Sequence, residues 1–152
     1  LLRLHLLMGI RDPPLSLIHV DDLVSLTRSA AENGRRLDGS GSAAGIYHAC
    51  DDREHPGYAA LGRRIAAAMG RSVVVLPLPL TLALPTSFVV EACWNVVGQP
   101  SIVSPDKLRE ATAPSWASSA ARARSELGFT ARATLDERLR QTAEWLRGQG
   151  LL

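Results

Sequence analysis

Leu15-Ser16-Leu17-Ile18-His19-Val20-Asp21-Asp22 is an apolar run that ends on two acids. The run has the length of a buried strand, and either acid can cap a following helix by accepting hydrogen bonds from its free N–H groups. Leu23, Leu26, Thr27 and Ala30 then recur at helical spacing as far as Asn33-Gly34, where the helix stops. After a polar loop over 34–45, Ile46-Tyr47-His48-Ala49-Cys50 is a second compact strand, closed by Asp51-Asp52. Strand, helix and strand in this order predict one unit of a parallel α/β sheet, with both strands buried on their two faces.

Downstream, Pro56 fits the first turn of a helix whose stripe is Leu61, Ile65 and Met69 and whose stop is Gly70. Val73 to Leu76 reads as a third strand, ended by Pro77-Leu78-Pro79. A nearly all-apolar helix follows from Thr86 to Val97, and its composition demands cover on most sides. Ser104-Pro105-Asp106 opens a short helix with a cap, a first-turn proline and an acid favoured by the helix dipole. Ser118 or Ser119 caps the next helix, and Gly128-Phe129 ends it as a left-handed C-cap. The last begins with a capping box, Thr134 to Glu137, and buries Leu135, Leu139, Thr142 and Leu146, flanked by Trp145. The pattern is helix-rich, with about six helices and three or four short strands. Three strands wired this way make a poor sheet alone, so the reading expects further strands upstream. Residues 1–152 read as one unit without an internal repeat or linker.

The 152 residues are 46% apolar and 21% charged, with a net charge of +2. That is the composition of a globular chain, without the charge excess that would suit a nucleic-acid partner. Cys50 and Cys93 stand far apart, without metal-ligand spacing, and read as two buried thiols in a reducing, cytoplasmic setting. The greasy start, Leu1 to Met8, carries charges inside its apolar run and lacks the organisation of a signal peptide. It also has no initiator Met, which fits a chain cut from something longer. Pro77, Pro79, Pro85 and Glu91 interrupt the longest apolar stretch and argue against a membrane span.

Candidate chemistry concentrates in two places. His19 and Asp21 share one face of an extended strand, within reach of one ion, but no third ligand stands at a fixed short spacing. A strand histidine followed by capping acids is the plainer account. His48, Cys50, Asp51, Asp52 and His55 form a denser cluster, yet His48-x-Cys50 is tighter than structural zinc sites use, and a strand with an acidic turn suffices. Gly39-Ser40-Gly41-Ser42 is a polar loop rather than a nucleophile elbow. Tyr47 and Tyr58 are followed four positions on by Asp51 and Gly62, so no Tyr-x-x-x-Lys pair is present. No Gly-rich strand-to-helix turn offers its amides to a pyrophosphate. Trp94, Trp116 and Trp145 read first as packing residues.

Leu17-Ile18-His19-Val20-Asp21-Asp22-Leu23 resembles a segment of the extended short-chain dehydrogenase/reductases, the NAD-dependent epimerase/dehydratase group. Further matches follow in order. Gly45 to Ala49 is similar to their late core strand, Tyr58 to Gly70 to the helix after it, and Pro77-Leu78-Pro79 to the approach to their substrate domain. Ser104 to Lys107 and Trp116 resemble the segment before the last helices. Ser125 to Phe129, Leu135 to Leu139 and Thr142 to Trp145 resemble the family's tail. The similarity covers about residues 15–152. It implies an α/β, helix-rich carboxyl-terminal portion of a Rossmann-like enzyme, namely the last core strand and helix plus the substrate-binding subdomain. The cofactor-binding half, with its Gly-rich turn and Tyr-x-x-x-Lys, would lie upstream.

On that resemblance the parent is an NAD(P)-dependent enzyme acting on a small molecule, either a nucleotide sugar or a hydrophobic ketone or alcohol. The chain alone is expected to bind no cofactor or metal and to carry no catalytic residue. Trp94 and Lys107 are the expected substrate-lining residues. Expected partners are the missing amino-terminal half and, through apolar surface left open, further copies of the chain, with neither nucleic acid nor membrane. The competing expectations are a free-standing binding or interaction module of the same half-fold and, third, a small metal-dependent hydrolase using His19 or His48.

Overall fold

The structure, a computed structural model, describes residues 3–9, 11–37, 39, 42–99 and 105–152. Its elements run β1 (Leu4–Met8), α1 (Val20–Asn33), α2 (Tyr58–Ala68), β2 (Val74–Leu78), α3 (Leu80–Val96), α4 (Pro105–Ala111), α5 (Ala121–Leu127) and α6 (Leu135–Gly148). Among the described residues this is a mixed α/β fold of six helices and one two-stranded parallel sheet. Contacts divide the chain into two compact units, Leu1–Pro14 with Pro56–Trp116 and Leu15–His55 with Ala117–Leu152. Each unit joins stretches distant in sequence, so a division of this kind leaves no linker to read.

In the first unit β1 pairs with β2 in parallel, from Leu4 opposite Val74 to Met8 opposite Leu78. The sequence reading assigns no strand here and weighs Leu1 to Met8 only against a signal peptide, although Arg3-Leu4-His5-Leu6 does alternate polar with apolar residues. In the structure alternate residues part company: Leu7 is buried, whereas Leu4, Leu6, Val74 and Leu76 are exposed. β2 runs through Pro77, which has no N–H to donate; a strand with a single partner tolerates that. α2 buries Ala59, Gly62 and Ala66 instead of the expected Leu61, Ile65 and Met69, and Ile65 is exposed. The small face has a steric cause. A Cβ on Gly62 would lie 2.6 Å from the His5 ring. Gly62→Ala is therefore expected to force His5 aside and cost about 1–3 kcal/mol, the usual range for overpacking. A melting temperature equal to that of the parent chain would contradict it.

Two boundaries in this unit differ from expectation. Pro56 precedes α2 rather than entering its first turn, and the Asp12 carboxylate accepts from Ala59 N at 3.0 Å, satisfying one free N–H of that turn. α3 starts at Leu80, with Pro85 inside it, rather than at Thr86. Its only fully buried residues are Ala83 and Ser87, while Leu82, Phe88, Val89, Trp94 and Val96 are exposed. The cover that its composition demands is thus not supplied by the described residues. Ser104, expected to cap α4, lies outside the described residues, as do Ser40 and Gly41 of the polar loop.

The second unit closes on Leu26, Cys50, Ala120, Ala123 and Phe129, with Ile18, Tyr47, Ala49 and Leu127 packed against them. The expected strands 15–20 and 46–50 do not form. A single backbone bond, Asp51 N to Leu17 O at 2.8 Å, ties the first stretch to the residue just after the second, and one bond does not make a ladder. Val20 and Ile46, expected inside, are exposed. Local end signals fared better. Gly128 takes φ +63° at the end of α5 and its N–H reaches back to Arg124 O at 3.1 Å, the 5→1 bond of a left-handed cap, while Phe129 N bonds Ala123 O at 3.2 Å. The expected serine cap of α5 does not form: its N-cap is Ala120, and the nearby N–H groups are met by Ser119 Oγ, which accepts from Ala121 N, and by the Asp52 carboxylate, which accepts from Ala120 N. Thr134 and Glu137 form the capping box that opens α6. Ala143 is the buried centre of α6, whereas Thr142, expected inside, is exposed.

Candidate functional site

His19-Val20-Asp21-Asp22 is built into the start of α1 with a division of labour different from that expected. His19, not an acid, is the N-cap: its Nδ1 accepts from Asp21 N at 3.3 Å. Asp22 is 2% exposed and receives a two-pronged bond from Arg138 of α6, Nε to Oδ2 at 3.0 Å and Nη2 to Oδ1 at 2.7 Å. Arg132 N adds a third donor at 3.3 Å. The remaining arm of Arg138 reaches Gln141 at 2.8 Å and Asp21 at 3.4 Å. This buried pair locks α1 to α6. It needs neither a metal nor a substrate to account for it. Beside it His19, Asp21, Gln141, Thr142 and Trp145 line an open cavity of about 620 Å³, but the committed Arg138 has little left to offer a ligand there.

The second cluster is also spent on architecture. Cys50 Sγ donates to Ser118 O at 3.3 Å, and His55 Nδ1 lies 3.3 Å from both Ser16 Oγ and Leu15 O. Arg53 grips Asp51 through Nε and Nη2, at 2.8 and 2.6 Å, and that hydrogen bonding holds the Asp51 carboxyl below its ordinary pKa. Arg53 also donates to Ala133 O, and Asp52 pairs with Arg124. Tyr47, expected inside a strand, donates its hydroxyl to Glu126 at 2.8 Å and accepts from Arg35 N at 3.0 Å. His48 is exposed. Among the described residues no three His, Cys, Asp or Glu side chains gather where they could hold a metal ion. Cys93, expected to be buried, is exposed on α3.

Of the two expected substrate-lining residues, Lys107 borders a cavity. Together with Tyr58, Glu110, Ala111 and Trp116 it lines a space of about 290 Å³. Lys107 Nζ bonds Glu110 at 2.7 Å, which raises the ammonium's pKa and keeps it charged, and Trp116 Nε1 donates to Glu110 O at 3.1 Å. Such a place presents an ion pair flanked by two aromatic side chains to a small polar group. Trp94 is not among the residues lining it; it stands on the exposed side of α3. Glu110 could have been found from its three-residue spacing to Lys107 on a helix. Tyr58 could not, since only the packing of α2 brings it near.

No family model matches the sequence, and no curated protein matches it. Among solved structures, the fold is similar to the crystal structure of gox2253, with a TM-score of 0.65 and 20% identity. The match covers 99% of this chain and 41% of that one, so the chain spans about two fifths of that protein's length. No helix among the described residues is long and apolar enough to cross a membrane.

Proposed function

We propose that this chain is the substrate-receiving, carboxyl-terminal portion of an NAD(P)-dependent oxidoreductase or epimerase of the extended short-chain dehydrogenase/reductase type, and is not catalytic by itself. The observation that carries this reading is the ordered run of family-like segments from Leu17 to Trp145. The likeness to part of a longer fold, over nearly all of this chain, supports it. The residues present do not fit a dinucleotide. They include no glycine turn for the pyrophosphate and no Tyr-x-x-x-Lys, and the histidine-acid segment is occupied by the cap and ion pair of α1. In the parent, hydride moves between the nicotinamide and a hydroxyl or keto carbon, and this portion's share is to bind and enclose the substrate. Lys107 is the charged group suited to orient it, and the apolar segment 73–97 favours a hydrophobic ketone or alcohol over a nucleotide sugar. We assign the parent to the cytoplasm because both cysteines of this chain, buried Cys50 and exposed Cys93, are free thiols.

Titration calorimetry of the chain with NAD and NADP is expected to give no binding in the micromolar range. Micromolar affinity for either would overturn the assignment of the cofactor to a missing half. A second reading, a free-standing interaction module, draws on the way the second unit closes its own core around Leu26, Cys50 and Phe129. Upstream coding sequence separates the two. An in-frame Gly-rich turn and Tyr-x-x-x-Lys mean the enzyme, and their absence means the module.

A further inference from the structure

We propose that a cleft beside α2 is a binding site for a small amphiphilic anion, a carboxylate carried on an apolar body. Its volume is about 600 Å³, within the span of roughly 300–1,000 Å³ common to small-molecule sites. Arg3 and Arg71 line it with Ser72, and Leu4, Ile65 and Met69 supply apolar wall. No Asp or Glu is among the described residues lining the cleft, so its two guanidinium charges have no neutralising partner within it. A guanidinium presents paired N–H groups that match a carboxylate, and the apolar wall receives the remainder of such a ligand.

The two arginines come together through the fold. Strand pairing sets Arg3 beside Val74, whose N–H donates to Arg3 O at 2.9 Å, and Arg71 follows the turn at Gly70 that ends α2. The carboxyl end of a helix ordinarily repels an anion. Here three of its last four carbonyls are already occupied: Met69 N bonds Ile65 O and Ala66 O, Gly70 N bonds Ala67 O, and Arg71 N bonds Ala66 O. The proposal uses neither Lys107 nor the assignment to an oxidoreductase, and it stands or falls separately from that reading.

The test is titration calorimetry of the full chain at low ionic strength with octanoate, octanol and acetate. Octanoate is expected to bind at one saturable site, at least tenfold tighter than octanol, which lacks the charge, or acetate, which lacks the chain. Arg3→Gln combined with Arg71→Gln is expected to weaken octanoate at least tenfold. Both arginines are exposed, so an unchanged melting curve is expected and establishes that the variant is folded. No saturable octanoate binding would overturn the proposal. So would octanol binding as tightly as octanoate, or undiminished octanoate binding by the folded double variant. That last result would assign the ligand to the exposed apolar surface of α3 instead.

Discussion

Asp22→Ala is expected to lower the stability of the chain by about 3–5 kcal/mol, the cost of breaking a buried ion pair from one side. The Asp22 carboxylate is almost fully buried, and it neutralises Arg138, whose side chain is 12% exposed. Removing the acid leaves the guanidinium with no comparable acceptor: Gln141 is neutral, and Asp21, at 3.4 Å, is largely exposed and so a weak partner. The usual loss on removing a helix cap is about 1 kcal/mol, so the size of the effect separates an ion-pair role from a capping role. Asp21→Ala is expected to cost far less, since Asp21 is two-thirds exposed and exposed pairs contribute about 0–1 kcal/mol. Asp22→Leu combined with Arg138→Met, which removes both charges together, is expected to recover most of the loss. Urea unfolding of the variants measures all of this. A cost below 1 kcal/mol for Asp22→Ala would mean the pair does not hold α1 to α6.

Phe129→Ala is expected to cost about 3–5 kcal/mol as well, through the cavity left in the second unit's core. Phe129 is buried against Leu26, Cys50, Ala120 and Ala123, and those neighbours are too small or too constrained to collapse into the space. The side chain also makes the hydrophobic contact that accompanies the Gly128 turn, so its loss is expected to fray the end of α5. Phe129→Leu, which keeps most of the volume, is expected to lose less than half as much. Thermal unfolding followed by far-ultraviolet circular dichroism distinguishes them. Equal losses for the Ala and Leu variants would mean the aromatic shape, not the filled volume, holds the core.

Both variants turn on partners that no local pattern announces. Asp22 and Arg138 are 116 positions apart, and the alternation that paired His19 with Asp21 says nothing about which acid is buried. The same distance problem hid Tyr58 from Lys107, and it hid the pairing of β1 with β2, where the ladder joins residue 4 to residue 74.

What the sequence determined by itself is local. The stop of α1 at Asn33, the left-handed Gly128 after α5, the capping box of Thr134 and Glu137 and the existence of six helices all follow from interactions spanning a few residues. What only the tertiary structure decided depends on which surfaces meet. Leu15–Val20 and Ile46–Cys50 have strand composition, but a strand is completed by neighbours, and here, among the described residues, one backbone bond, from Asp51 N to Leu17 O, is all that runs alongside them. α2 buries Gly62 and Ala66 in place of Ile65 because the His5 ring lies against it. α3 is predominantly apolar, yet Leu82, Phe88 and Val96 face outward, because hydrophobicity states how much cover a helix demands and only packing supplies it.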